Sequence, residues 1–175
     1  NWYGRKMSRP ESKSKIPDFI REYELDISEF ASPPNSFASF NEFFSRKLKA
    51  EARPICDEPK TLAFPADGRH LGFSNLALTS SIFVKGQRFD LPSLFQSEEL
   101  AKPYENGSLV ISRLCPVDYH RFHFPIDGQA SPPKLINGFL YSVNPIALRK
   151  EIAIFWQNKR FLSFVETESS GRVAQ

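Results

Sequence analysis

Two histidines stand three apart in Asp118-Tyr119-His120-Arg121-Phe122-His123-Phe124-Pro125, within a 175-residue chain that holds only three. An imidazole titrates near neutral pH and can take or give a proton, so the pair marks this segment for acid–base chemistry. A carboxylate on a turn, Asp67 in Pro65-Ala66-Asp67-Gly68, is of the type that orients or charges such a ring. Asp before Gly is also common in turns for a local reason, because it hydrogen-bonds its own backbone. If the histidine segment is a strand, Tyr119, Arg121 and His123 share one face and His120, Phe122 and Phe124 the other. Bringing both imidazoles to one point then requires a bulge or a strand end, and Pro125 favours an end there. Taken alone, either ring reads equally well as a satisfied core or edge residue.

The dyad lacks a group to activate. No Gly-x-Ser-x-Gly occurs, and Ser112 and Ser142 read as isolated strand or strand-end serines. The eight glycines are scattered singly, so no glycine-rich phosphate loop exists. No second cysteine stands near Cys115 at metal-ligand spacing and His70 is the only other imidazole, so no metal is expected. Cys56 and Cys115 stand apart from each other and read as two inert thiols of a reducing compartment.

The elements that must position these residues divide into two regimes. Ile16, Phe19, Ile20, Tyr23, Ile27 and Phe30 recur at helical steps, predicting an amphipathic helix that Pro33-Pro34 ends. Ser39-Phe40-Asn41-Glu42 is a capping box, predicting a second helix carrying Phe40, Phe43, Phe44 and Leu48, with Arg46, Lys47 and Lys49 towards its last turn. From Arg53-Pro54 onward the pattern predicts strands over 71–78, 81–89, 108–114, 119–124, 151–156 and 161–166, the last two joined by a four-residue loop at 157–160. Short helices are expected after Asp90-Leu91-Pro92 and at Asn144-Pro145. The fold class is therefore α+β, a β-rich core with amphipathic helices at the N-terminus. Residues 1–52 are expected to form a basic, helical, membrane-apposed region and residues 53–175 a β-rich catalytic portion.

Net charge is +3, too weak by itself to indicate nucleic acid, but Arg5, Lys6, Arg9, Lys13, Lys15 and Arg21 outnumber Glu11 and Asp18 up to Arg21. Such a leader suits an anionic membrane surface and equally suits a solvated tail. No apolar run approaches the ~18–20 residues needed to span a bilayer. The seventeen phenylalanines imply an aromatic core, or apolar surface kept for a partner or lipid. With Asn1 first and Met7 the only methionine, the chain is expected to be a piece of something longer.

Taken together, Phe40-Asn41-Glu42-Phe43-Phe44-Ser45-Arg46-Lys47-Leu48-Lys49, Arg53-Pro54, Pro65-Ala66-Asp67-Gly68, Val84-Lys85-Gly86, the segment Asp118 to Pro125, Gly138-Phe139-Leu140-Tyr141-Ser142-Val143-Asn144-Pro145 and Asn158-Lys159-Arg160 resemble the phosphatidylserine decarboxylase family. The resemblance implies a carboxy-lyase that converts phosphatidylserine to phosphatidylethanolamine at a membrane surface. Its pyruvoyl group arises when a proenzyme cuts itself before the serine of a Gly-Ser-Thr motif, and the keto group then serves as electron sink for loss of carbon dioxide. Asp67 and His123 match the pair that activates that serine, and His120 matches the histidine on the substrate and proton-handling side.

This sequence departs from the family pattern at its far end. No Gly-Ser-Thr occurs before Gln175, and Ser169-Ser170-Gly171 neither matches it nor lies late enough. The expectation is a β-subunit portion, inactive without a C-terminal pyruvoyl-bearing α subunit. The implied partners are phosphatidylserine, a membrane surface and that α subunit, with a homodimer left open and no nucleic acid. The implied location is peripheral, on the cytoplasmic face of a bacterial inner membrane or on an organelle membrane. The reading from another class is a non-catalytic lipid- or membrane-surface binding domain.

Overall fold

The computed structural model describes residues 2–56, 58, 61–77, 83–84, 87–88, 90–151 and 153–175. Its helices are α1 (Trp2–Met7), α2 (Ile16–Glu22), α3 (Phe40–Phe44), α4 (Leu91–Phe95), α5 (Glu98–Ala101), α6 (Pro145–Lys150) and α7 (Ile154–Gln157). Its strands are β1 (Arg69–Phe73), β2 (Phe83–Val84), β3 (Gln87–Arg88), β4 (Leu109–Arg113), β5 (Gln129–Ala130), β6 (Lys134–Ile136), β7 (Arg160–Leu162), β8 (Phe164–Glu166) and β9 (Arg172–Ala174). They pair as β1-β4, β2-β3, β5-β8-β9 and β6-β7, with antiparallel registers such as Lys134↔Leu162 and Phe164↔Ala174. The class is α+β, with helices leading the chain. Two compact units divide it: Asn1–His70 with Ser112–Pro125, and Leu71–Ile111 with Ile126–Gln175.

The first unit is built on phenylalanine. Ile16, Phe30, Phe37 and Phe43 are buried, with Phe19, Ile20, Leu25, Phe40 and Leu48 packed around them. Phe43, fully buried, meets Phe19, Phe30 and Phe37 edge-on at 5.7–6.1 Å between centroids, the geometry that aromatic quadrupoles favour.

The predicted first helix stops early. Glu24 takes a left-handed φ of 50°, and the Leu25 amide donates to the Ile20 carbonyl at 3.0 Å, a Schellman-type stop without glycine. Asp26 then caps a separate 3₁₀ turn, Ile27–Glu29, by accepting from the Ser28 amide. Ile27 is consequently exposed, while Phe30 enters the core through a bridge to Leu48.

The second helix forms where the capping box indicates. Ser39 Oγ accepts from the Glu42 amide at 3.2 Å, and Glu42 Oε2 accepts from the Ala38 amide, one residue before the cap. It ends at Phe44 instead of running towards Lys49, because the next residues have other partners. Ala31 N donates to Lys47 O at 3.0 Å and Lys49 N to Glu29 O at 2.8 Å, which holds 47–49 extended. Arg46 turns inward: it is 4% exposed, with its guanidinium 4.6 Å from the Phe30 ring and 5.1 Å from Phe43. Burial lowers its pKa, while Glu29 and Tyr119 act in the opposite direction.

In the second unit, Phe95, Ala101, Ile136, Leu162 and Phe164 form the buried cluster. Asn144 caps α6 as expected, and the helix expected after Asp90-Leu91-Pro92 forms as α4, which takes in Leu91 and Pro92 with Asp90 as its cap. Several strand expectations fail. Residues 119–124 are not a strand; among the described residues, the only backbone bond their amides make is from His123 N to Pro65 O. The run after Glu151 becomes α7, since an apolar stretch of that length fits either state; Ile152 lies outside the described residues. Residues 161–166 split at Ser163 into β7, which pairs with β6, and β8, which pairs with β5 and β9, so 157–160 is no hairpin loop. The strand placed at 71–78 runs from Arg69 to Phe73, with Leu78 outside the described residues. The one placed at 81–89 is described only at 83–84 and 87–88, which pair as β2 and β3; Lys85 and Gly86 lie outside.

Thermal or denaturant unfolding distinguishes core from surface phenylalanines. Phe43→Ala is expected to cost about 3–5 kcal/mol. Phe122→Ala, at a ring 68% exposed, is expected to change stability by no more than about 0.5 kcal/mol.

Candidate functional site

The histidine segment is held from two sides. On one side, Arg121 Nε donates to the carbonyls of Ser45 (2.9 Å) and Arg46 (3.3 Å), where the end of α3 leaves carbonyls without helical partners. Next to this contact the Leu48 amide donates to Tyr119 Oη at 3.4 Å. On the other side, Ala63 N donates to Pro125 O and His123 N to Pro65 O, both at 2.9 Å. These two bonds run 63–65 antiparallel to 123–125 and set His123 opposite Pro65, two residues before Asp67.

Gly68 ends that turn with φ +133°, a conformation that L side chains rarely adopt. A Cβ there would also lie 2.5 Å from the Arg113 carbonyl oxygen. The Pro-Ala-Asp-Gly turn thus needs its glycine for backbone geometry and for close approach.

His120 Nδ1 lies 2.8 Å from the Asp118 carbonyl oxygen. A carbonyl only accepts, so Nδ1 carries a proton, and in the neutral ring the lone pair then lies on Nε2. The ring rests against Phe44, 4.0 Å between centroids. Upstream, the Asp118 carboxylate accepts from the Cys115 amide and the Asp118 amide donates to Cys115 O, closing a tight turn before the segment.

A cavity of about 630 Å³ lies alongside, lined by residues of α3's exit and by the histidine segment, His120 and His123 among them. Because 119–123 is irregular, the alternation of a strand does not apply, and both histidines line one space. Asp67 is not among the lining residues. The sequence pairs its carboxylate with an imidazole; in the structure its Oδ2 accepts from Arg53 Nε at 2.8 Å. Arg53 Nη1 also donates to Glu29 Oε1 at 3.1 Å. Partial burial pulls the Arg53 pKa down, and the bonds to Asp67 and Glu29 outweigh it, so the net direction is up.

The organising roles of Arg53, Tyr119 and Arg121 escaped sequence reading, since each acts on a backbone or carboxylate distant in sequence. Ser112 is not isolated either: its Oγ lies 2.9 Å from His70 Nδ1, and His70 stacks on Phe64 at 4.0 Å. In the second unit, Asn158 Nδ2 donates to Tyr141 O and its Oδ1 accepts from Tyr141 N. Gly138 is required beside it, as a Cβ would sit 2.2 Å from Gln157 O. Arg160 donates to the carbonyls of Ser93 and Leu94 near the end of α4 and of Trp156 and Asn158 at the end of α7, the same use of arginine as at Arg121.

Residues 40–175 match the family model for phosphatidylserine decarboxylase. The chain belongs to the phosphatidylserine decarboxylase family. It is similar to the phosphatidylserine decarboxylase proenzyme of Fusobacterium nucleatum subsp. nucleatum, 48% identical over 174 residues covering 99% of this chain and 58% of that protein. The proenzyme of Chlamydia muridarum is 45% identical over 158 residues, covering 90% of this chain and 52% of that protein. That of Clostridium botulinum is 43% identical over 171 residues, covering 98% and 58%. The chain thus spans between half and three-fifths of the length of these curated relatives. Among the described residues no group of three or more His, Cys, Asp or Glu is placed to hold a metal ion, and no helix is long and apolar enough to cross a membrane.

Two glycines in neighbouring positions test the geometry of the turn. Gly68→Ala is expected to destabilise by about 2 kcal/mol or more. Gly72→Ala, where a Cβ meets nothing within 4 Å, is expected to be neutral to within about 1 kcal/mol by the same unfolding measurement.

Proposed function

We propose that this chain is the β-subunit portion of a phosphatidylserine decarboxylase, which breaks the bond between Cα and the carboxylate of the serine headgroup, releases carbon dioxide and leaves phosphatidylethanolamine. The observation that carries this reading is one cavity lined by both His120 and His123, in a chain of this family. A pyruvoyl group, formed from the serine of a Gly-Ser-Thr motif at the start of an α subunit, would provide the electron sink. The cavity suits such a group: two histidines line it and no carboxylate does.

In this reading His123 withdraws the proton of the serine hydroxyl during self-cleavage. Asp67, held in place by Arg53, stabilises the imidazolium that results. His120 keeps Nδ1–H on the Asp118 carbonyl, which leaves Nε2 to take a proton from water and deliver it to Cα as carbon dioxide departs. The phenyl ring of Phe44 beneath it keeps the imidazole in that orientation. The protein works peripherally on a membrane surface, a cytoplasmic bacterial or organelle one. The basic α1, with Trp2 and Tyr3 exposed beside Arg5 and Lys6, supports that placement.

Self-processing on a denaturing gel and carbon dioxide release separate the two roles in the protein made from its complete coding sequence. Asp67→Ala and His123→Ala are expected to stop processing. His120→Ala is expected to process normally and to lose turnover by about 10²-fold or more, the usual worth of a positioned acid–base group. Normal processing of both Asp67→Ala and His123→Ala contradicts the assignment.

A further inference from the structure

The cavity that holds His120 and His123 is also lined by Lys47, Lys49, Arg53 and Arg121, with no aspartate or glutamate in its wall. Arg53 is compensated, since Glu29 and Asp67 both bond it. The other three cations have no carboxylate partner among the described residues. Arg121 spends only Nε on the Ser45 and Arg46 carbonyls, which fixes its guanidinium plane and leaves both Nη groups available. Asp26 feels Lys49 electrostatically, but its carboxylate is occupied by the Ser28 amide.

The two lysines are held by backbone, not merely strewn on a surface. The Phe30–Leu48 bridge, flanked by Ala31 N to Lys47 O and Lys49 N to Glu29 O, keeps 47–49 extended. Alternation along such a stretch sends Leu48 to the phenylalanine core and Lys47 and Lys49 together to the opposite side. A volume of about 630 Å³ lies within the range of small-ligand sites.

We propose that Lys47, Lys49 and the Nη groups of Arg121 form a phosphate-binding wall of this cavity, and that the phosphate it takes is the diester of an anionic lipid headgroup. A phosphodiester spreads one negative charge over two non-bridging oxygens, each of which accepts more than one hydrogen bond, so it can meet three cations at once. The wall anchors the headgroup by its phosphate and leaves the serine end to the imidazoles. The assignment to a headgroup rests on the decarboxylase reading; the anion site itself does not.

The test uses the protein made from its complete coding sequence, with inorganic phosphate as probe and ³¹P line width as readout. Lys47→Gln/Lys49→Gln is expected to weaken phosphate binding at least about tenfold, and Lys47→Arg/Lys49→Arg to stay within about threefold of the parent. Glycerophosphoserine is expected to displace the bound phosphate. On vesicles of phosphatidylserine and phosphatidylcholine, the double glutamine variant is expected to lose activity through KM more than through kcat. Equal phosphate affinity in parent and double glutamine variant overturns the wall. Failure of glycerophosphoserine to displace phosphate overturns the headgroup assignment and identifies free phosphate as the ligand. A parent that releases no carbon dioxide yet shows lysine-dependent phosphate binding defeats the decarboxylase reading alone. A parent that releases it, with KM unmoved in the double glutamine variant, defeats the headgroup assignment alone.

Discussion

Arg121 satisfies the carbonyls that α3 leaves open when it stops at Phe44, and the geometry of the candidate site follows from that contact. A guanidinium is a rigid fork, so fixing Nε on two carbonyls fixes the backbone that carries it. The histidines on either side, His120 and His123, are thereby tied to the phenylalanine cluster. α3 stops where it does because Arg46 is drawn over the rings of Phe30 and Phe43 and because 47–49 pairs with 29–31. A single early helix end therefore does three things. It exposes acceptors for Arg121, turns Lys47 and Lys49 into the cavity wall, and puts Phe44 under the His120 ring.

The turn at Asp67 reaches the same segment from the other side. Gly68 permits the close approach to Arg113, and the pairing of 63–65 with 123–125 sets His123 opposite Pro65. Arg53 ties Asp67 to Glu29, the residue whose carbonyl also holds Lys49. The carboxylate and the lysines are thus referred to one short stretch of chain, a small-scale form of the support a functional constellation needs.

What was legible in the sequence was local. Ser39, Asp90 and Asn144 cap helices because each acts within three residues of itself, and their signatures say so. The α+β class followed from the change of period near Arg53. The ends of elements were not legible, because distant partners decide them. Leu48 leaves helical geometry to bridge Phe30, and Ala153 to Gln157 chooses helix over strand although its apolar run fits either. The histidine segment was found by residue type and spacing, but its strand reading failed because its bonds go to α3 and Pro65, tens of residues away. Arg121 itself carried no signal, since a lone arginine on a predicted strand reads as a solvated side chain.

The central claim is that Arg121, through two backbone carbonyls, fixes the segment bearing both imidazoles. Amide hydrogen exchange at His123, whose N–H donates to Pro65, reads this directly when the parent is compared with Arg121→Gln. The account predicts that protection at His123 falls by about tenfold or more in the variant while Phe43, in the buried cluster, keeps its protection. Equal protection at His123 in both proteins would contradict it.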